Sequence, residues 1–98
     1  MKVLAEKIKR SGYTYELLKR TDKAAIYKQI PDEPESKNIY YEVFKIRISK
    51  AKVMFGVELP EKEKFPSDED FGKSAWACVT LERAEEIYDR INSTPDEI

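Results

Sequence analysis

The stretch "NIYYEVFKIRISKAK", residues 38–52, constrains the fold more than any other part of the chain. It is rich in Ile, Tyr, Val and Phe, which favour β-strands. Alternate positions place Tyr40, Glu42, Phe44, Ile46 and Ile48 on one face, and Ile39, Tyr41, Val43, Lys45, Arg47 and Ser49 on the other. The first half is apolar on both sides, whereas the second half separates into an apolar side and a basic or polar side. The pattern therefore predicts a strand whose first half is covered on both faces.

Two further strands are predicted before this one. "YTYELLKR" and "AAIYKQI" are joined by "TDK", whose Asp22 suits the short loop of a hairpin. Residues 3–10 fit either a short helix or a strand leading into Gly12. Residues 31–38 contain Pro31 and Pro34 and are predicted to form a loop.

The last third of the chain predicts a strand followed by a helix. "SAWACV" is strand-like, and "TLERAEEIYDRI" is helical with Thr80 as its N-cap. The apolar stripe consists of Leu81, Ala84, Ile87, Tyr88 and Ile91, at spacings of three and four. Residues 92–98 are expected to be a tail.

Residues 51–73 form a long connection between the central strand and "SAWACV". A structureless connection of this length is unusual in a compact domain. We therefore expect it to fold against the core through five of its apolar residues, Met54, Phe55, Val57, Leu59 and Phe65. Within it, "PSDEDFG" predicts one helical turn, capped by Ser67 and ended by Gly72.

These elements predict one α+β domain over residues 1–98. Its antiparallel sheet of about four strands carries a C-terminal amphipathic helix packed on one face, in ββββα order. One helix covers only part of one face. The other face must be solvated, joined to a partner or covered by the long connection.

Composition excludes most enzymatic chemistry. The chain has no histidine and one cysteine, Cys78, so it offers neither a His-based triad nor a typical zinc site. Two short motifs are typical of nucleotide-binding proteins but lack their sequence context. "GKS" ends a P-loop only if glycine stands where Ser67 is, and the protein-kinase triplet "DFG" needs a domain far larger than this one. The adjacent acids Asp68, Glu69 and Asp70 lack calcium-loop spacing. We expect a non-enzymatic protein with no cofactor and no metal.

The chain is also expected to be cytoplasmic and without membrane contact. It contains no apolar run near the length of a membrane helix, and its charged N-terminus is unlike a signal peptide. Charge is distributed unevenly, because residues 1–53 carry 13 Lys and Arg against 7 Asp and Glu, whereas residues 54–98 carry 5 against 12. Such halves either attract each other within the fold or form one basic and one acidic surface.

Tyrosines and cations suggest a binding surface if the strand register brings them to one face. The candidate contacts are Tyr13, Tyr15, Lys19, Tyr41, Lys45, Arg47 and Trp76. Aromatic side chains stack on bases and cations meet phosphates, which is how single-stranded nucleic acid is held. The predicted element order also resembles that of the dimeric coactivator-type and plant "whirly" single-stranded DNA-binding modules.

The sequence leaves two functions open. The first is a small module that binds single-stranded DNA or RNA through this sheet face. The second is a protein-interaction, oligomerisation or inhibitor-like accessory module. A sheet face left open by one helix would favour a homodimer in either case. The side of the sheet that Trp76 takes is central to both, because a Trp76 on the open face would join the tyrosines as a contact.

Overall fold

The computed structural model of the chain describes residues 2–33, 35, 38–67 and 70–93. Its strands are β1 (Lys7–Arg10), β2 (Tyr13–Arg20), β3 (Ala24–Pro31), β4 (Tyr40–Lys45), β5 (Arg47–Ser49), β6 (Lys52–Met54), β7 (Val57–Leu59), β8 (Lys62–Lys64) and β9 (Ala75–Cys78), and its helix is α1 (Leu81–Ser93). Five strands form an antiparallel sheet in the order β1-β2-β3-β4-β9, and α1 packs on it. The predicted α+β class and ββββα order are confirmed. The fifth strand is β1, in the segment that fitted either a helix or a strand.

The side of the sheet under α1, called the helix face, carries the first core. Its buried residues are Ala24, Ile26, Val43, Cys78, Ala84, Ile87 and Tyr88. The predicted cap is present, because the Thr80 Oγ1 accepts a hydrogen bond from the Arg83 N–H at 3.2 Å. Most of the predicted apolar stripe faces the sheet, but Leu81 at its start is exposed.

The opposite side, called the second face, carries its own core. The buried residues are Leu4, Tyr15, Ala25, Tyr27, Phe44, Ile46 and Ala75, with Phe65 and Phe71 packed against them. Phe65 meets Tyr15, Tyr27 and Phe44 edge-on, with ring centroids 5.1–5.4 Å apart. Of the three possibilities for this face, the long connection covers it. The first half of the central strand is therefore covered on both sides, as predicted.

The long predicted strand breaks at Ile46. The Ile46 N–H donates to the Lys23 carbonyl at 2.8 Å, which ties it to the β2–β3 turn. Beyond it, the chain leaves the sheet as a two-stranded arm. In this arm β5 pairs with β8, and β6 pairs with β7.

The long connection packs differently from the prediction. Of the five residues expected to reach the core, only Phe65 does so, while Met54, Phe55, Val57 and Leu59 are exposed. The expectation that all five fold against the core is wrong for these four. The reason is that β6 and β7 pair only with each other and extend away from the sheet.

The predicted turn at "PSDEDFG" lies partly outside the described residues, which include neither Asp68 nor Glu69. Within the described part, the Asp70 carboxylate accepts a hydrogen bond from the Ser67 N–H at 2.9 Å. Gly72 has a φ of 88°, in the left-handed region that favours glycine, and its N–H donates to the Ala75 carbonyl. This turn leads directly into β9.

A two-pronged ion pair anchors the arm to the sheet. Arg20 at the end of β2 contacts both carboxylate oxygens of Glu63 in β8, at 2.5 and 2.7 Å. The same carboxylate accepts the Leu4 N–H at 3.0 Å. The Glu63 side chain is only 8% exposed, so solvent screens the pair weakly.

Replacing Glu63 with glutamine is expected to lower the free energy of unfolding at pH 7 by about 2 kcal/mol. This loss is smaller than that for breaking a fully buried ion pair, because Arg20 stays partly solvated. The hydrogen bonds from Arg20 hold the pKa of Glu63 below its usual value of 4.5. A lowered pKa in the folded state means that this stabilisation is complete above pH 4.5 and is lost as the pH falls through the folded-state pKa. Urea unfolding of both proteins at pH 7 and at low pH tests this. An equal difference at both pH values would contradict it.

Candidate interaction site

The seven candidate residues do not come together on one surface. The register places Tyr41, Lys45 and Trp76 on the helix face, where Lys19 also lies. It places Tyr13 and Tyr15 on the second face. Arg47 lies outside the sheet, in the arm. The shared aromatic and basic face that the sequence made conditional on register is therefore not formed by these residues.

Trp76 lies on the helix side of the sheet. Trp76 and Tyr41 are both half-buried and pack against the core under α1. Their neighbours leave each ring only partly accessible. Trp76 therefore lies on the face opposite Tyr13 and Tyr15.

A β-bulge explains the position of Lys19. Strand alternation from Tyr13 would put Lys19 on the second face, but the pairing of β2 with β3 shifts between Leu17 and Lys19. The Lys19 ammonium consequently lies over α1, 3.4 Å from a Glu85 carboxylate oxygen and 4.8 Å from the Tyr88 ring centroid. These contacts with α1 partly offset the positive charge of Lys19.

The tip of the arm, called the finger and comprising residues 52–59, is the most exposed apolar feature among the described residues. All six residues of β6 and β7 are exposed, and Phe55 at the turn is 98% exposed. Pairing of Met54 with Val57 leaves a two-residue turn, in which Phe55 and Gly56 have φ values of 52° and 77°. Two positive φ values are typical of the tight turn that matches the twist of a hairpin.

The two faces of the finger differ in polarity. Directly paired residues share a face, so Met54 and Val57 lie together with the Lys52–Leu59 pair, while Val53 lies opposite Glu58. One face thus presents a contiguous apolar strip of Met54, Val57 and Leu59, with Lys52 at its base, and Phe55 stands in the turn beyond it. A strip of this kind, unsupported by the protein's own core, is typical of a docking surface.

The base of the arm, called the stalk and comprising residues 47–49 and 62–64, is basic on one face. Arg47 pairs with Lys64, and Ser49 pairs with Lys62, so three cations share the side turned away from Glu63. Arg47 and Asp70 approach to 4.0 Å, with the Arg47 side chain 60% exposed. The finger is therefore carried on a positively charged, anchored base.

The finger is not among the sequence-based predictions, because these assign the apolar residues of the long connection to the core. A local signal for it exists in the sequence. "KVM" and "VEL" are short β-prone runs separated by two residues ending in Gly56, a spacing that favours a hairpin. Pro60 then interrupts any longer ladder.

Some chemistries find no support among the described residues. No group of three or more His, Cys, Asp or Glu side chains there could hold a metal ion. Cys78 is buried, and burial raises the pKa of its thiol, which disfavours the nucleophilic thiolate. In the same part of the chain, no helix has the length and apolar character needed to cross a membrane.

Comparison of the chain with protein-family models, with curated proteins and with solved structures finds no match.

Proposed function

We propose that this protein is a small non-enzymatic interaction module that docks onto a partner protein through its finger. The observation that supports this most directly is the almost complete exposure of Phe55 at the end of a hairpin whose other apolar residues are also exposed. Aromatic side chains at the centre of an interface often dominate binding free energy. Leaving one in water at a projecting tip has no benefit for the protein's own fold.

The stalk makes the finger suitable for recognition. A lone two-stranded hairpin is marginally stable in water. Here the stalk is held by the Glu63–Arg20 ion pair and by Lys2, whose N–H donates to the Glu61 carbonyl and whose carbonyl accepts the Glu63 N–H. The tip is therefore presented in a defined direction, which lowers the entropy that binding must remove.

Charge indicates the chemistry of the partner. The stalk carries three cations close to the finger, Arg47, Lys62 and Lys64. A fourth cation, Lys52, lies at the base of the apolar strip. A complementary partner has an apolar pocket for Phe55 with acidic side chains around its rim. Opposite charges at such a rim would speed association more than they would add affinity.

Single-stranded nucleic acid receives less support as the ligand. The tyrosines and cations proposed to hold it lie on two sheet faces and in the arm. At the finger, Met54, Val57 and Leu59 would lie among phosphates, where cations bind better. The homodimer expectation also depended on an open apolar sheet face, and residues such as Phe65 cover that face.

A photo-crosslinking amino acid at position 55 tests the proposal. In extracts of the cells that produce this protein, position 55 is expected to capture a specific protein, whereas position 79 is not. Val79 is a suitable control because it is 72% exposed and lies between β9 and α1, on the part of the protein formed by the sheet and the helix, here called the body. The captured protein is then purified and its affinity for the finger measured directly, since capture alone proves little.

Three further measurements would redirect the assignment. Steeply salt-dependent binding of a fluorescent single strand, weakened by Lys45→Ala and Arg47→Ala, would favour nucleic acid over a protein partner. Binding to anionic lipid vesicles that requires Phe55 would favour a membrane surface. A dimeric mass by light scattering that becomes monomeric in Phe55→Ala would identify a second copy as the partner.

A further inference from the structure

A cavity of about 280 Å³ lies on the second face of the sheet, away from the finger. Tyr15, Gln29 and Glu42, on the neighbouring strands β2, β3 and β4, supply polar groups to it. The Gln29 amide donates to the Tyr15 hydroxyl at 3.2 Å. The rings of Tyr13 and Phe71 also line the cavity. It thus combines a polar floor with aromatic walls, as small-molecule sites do.

The Glu42 carboxyl is the most informative of these groups. Its residue is only 6% exposed, although it is placed on a strand between apolar neighbours. Burial, followed by the charge of Glu42, raises the pKa of Tyr15, consistent with the two side chains lining the same cavity. In such surroundings a carboxylate attracts a cation far more strongly than it would in water.

The aromatic wall already accommodates one cation. The Arg10 guanidinium lies 5.7 Å from the centroid of the Phe65 ring and donates to the Pro66 carbonyl at 3.1 Å. Arg10 is exposed at the mouth, whereas Glu42 is buried. The carboxylate therefore lies deeper than the guanidinium.

From these positions we propose that the cavity binds a small quaternary ammonium ion, with Glu42 as its counter-ion and Tyr13, Tyr15 and Phe71 around its methyl groups. Aromatic side chains that surround the cation are a known solution for quaternary ammonium recognition, and a carboxylate nearby adds Coulomb attraction. The volume is at or below the lower end of the range for drug-sized ligands, about 300–1,000 Å³, so the ligand has few heavy atoms. Choline is a suitable probe.

Titration of the full chain with choline, followed by the amide NMR signals of Tyr15 and Gln29, tests the site. The control ligand is 3,3-dimethylbutan-1-ol, which has the same shape without the charge. Choline is expected to shift these signals in a saturable way and to bind at least about tenfold more tightly than the alcohol. Absence of saturable shifts, or equal binding of the two ligands, would overturn the proposal.

Variants identify the groups responsible. Glu42→Gln is expected to weaken choline binding about 10- to 100-fold, because the trimethylammonium loses the Coulomb attraction of its counter-ion. It should leave binding of the alcohol unchanged. If Glu42→Gln does not fold, Tyr13→Leu provides a second test on a half-buried wall residue, and Tyr41→Leu, on the opposite face, is its matched control. Equal affinity in Tyr13→Leu and the original protein would contradict the site.

Arg10 distinguishes a cation from an anion as the ligand. Removing its charge in Arg10→Gln is expected to tighten choline binding severalfold, because two positive charges then no longer oppose each other at the mouth. Loss of choline binding in this variant would contradict the proposed arrangement. Binding of acetate in place of choline, abolished by Arg10→Gln, would show that the cavity selects anions.

Discussion

Replacing Phe55 with alanine is expected to weaken binding of the purified partner at least about 30-fold, the loss that accompanies removal of a central aromatic anchor worth about 2 kcal/mol. The free energy of unfolding should stay within about 0.5 kcal/mol of the original, as for surface changes away from special features. Phe55 is 98% exposed and belongs to neither core, so its truncation removes no contact that stabilises the fold. Isothermal titration calorimetry and urea unfolding measure the two quantities.

The matched control is Val79→Ala, which removes an exposed apolar side chain from the body. It should change neither affinity nor stability appreciably. A Phe55→Ala protein that binds its partner as tightly as the original would contradict the role of the finger. A large loss of stability in the same variant would show instead that Phe55 packs on the protein.

The same truncation at Phe44 is expected to have the opposite effect. Phe44→Ala should lower the free energy of unfolding by about 4 kcal/mol, within the range for a buried phenylalanine. Phe44 is 1% exposed, stacks on Tyr27 at 5.8 Å and meets Phe65 edge-on at 5.4 Å. Alanine would leave a cavity at the centre of the second-face core.

Urea unfolding of Phe44→Ala measures this loss. Thermal unfolding gives an independent check, since domains of this size lose about 4–8 °C in melting temperature for each kcal/mol. If the alanine variant does not fold, Phe44→Leu should be folded and lose about 1 kcal/mol. A loss below about 1 kcal/mol in Phe44→Ala would contradict the assignment of Phe44 to a tightly packed core.

Much of the sheet could be predicted because its residues satisfy local and tertiary demands together. Tyr40–Lys45 is β-prone and apolar on both sides, and it does lie between two layers. The turn at Asp22 and the cap at Thr80 depend on short-range chemistry that sequence alone displays. The hydroxyl of Tyr27 depends instead on tertiary packing. Burial raises its pKa to about 12, and the protonated hydroxyl donates to the Ala5 carbonyl at 2.6 Å.

The candidate site was less predictable because it depended on register and on packing partners. One bulge, between Leu17 and Lys19, moves Lys19 to the other face, and periodicity cannot reveal such a shift. Ile46 continues the alternation of its strand, yet its N–H donates to the Lys23 carbonyl and the chain leaves the sheet there. The sequence also does not distinguish apolar residues of a connection that pack in the core from those on a docking surface. Phe65 and Phe55 therefore look alike in sequence.

Separation of the finger from both cores has an evolutionary consequence. Residues 52–59 can change identity, and the hairpin can change length, with little cost to the folding of the sheet and α1. Selection can therefore adjust which target is recognised without first compensating for lost stability. Lineages that carry this body would be expected to diverge fastest at the tip of the arm and slowest around Tyr27 and Phe44.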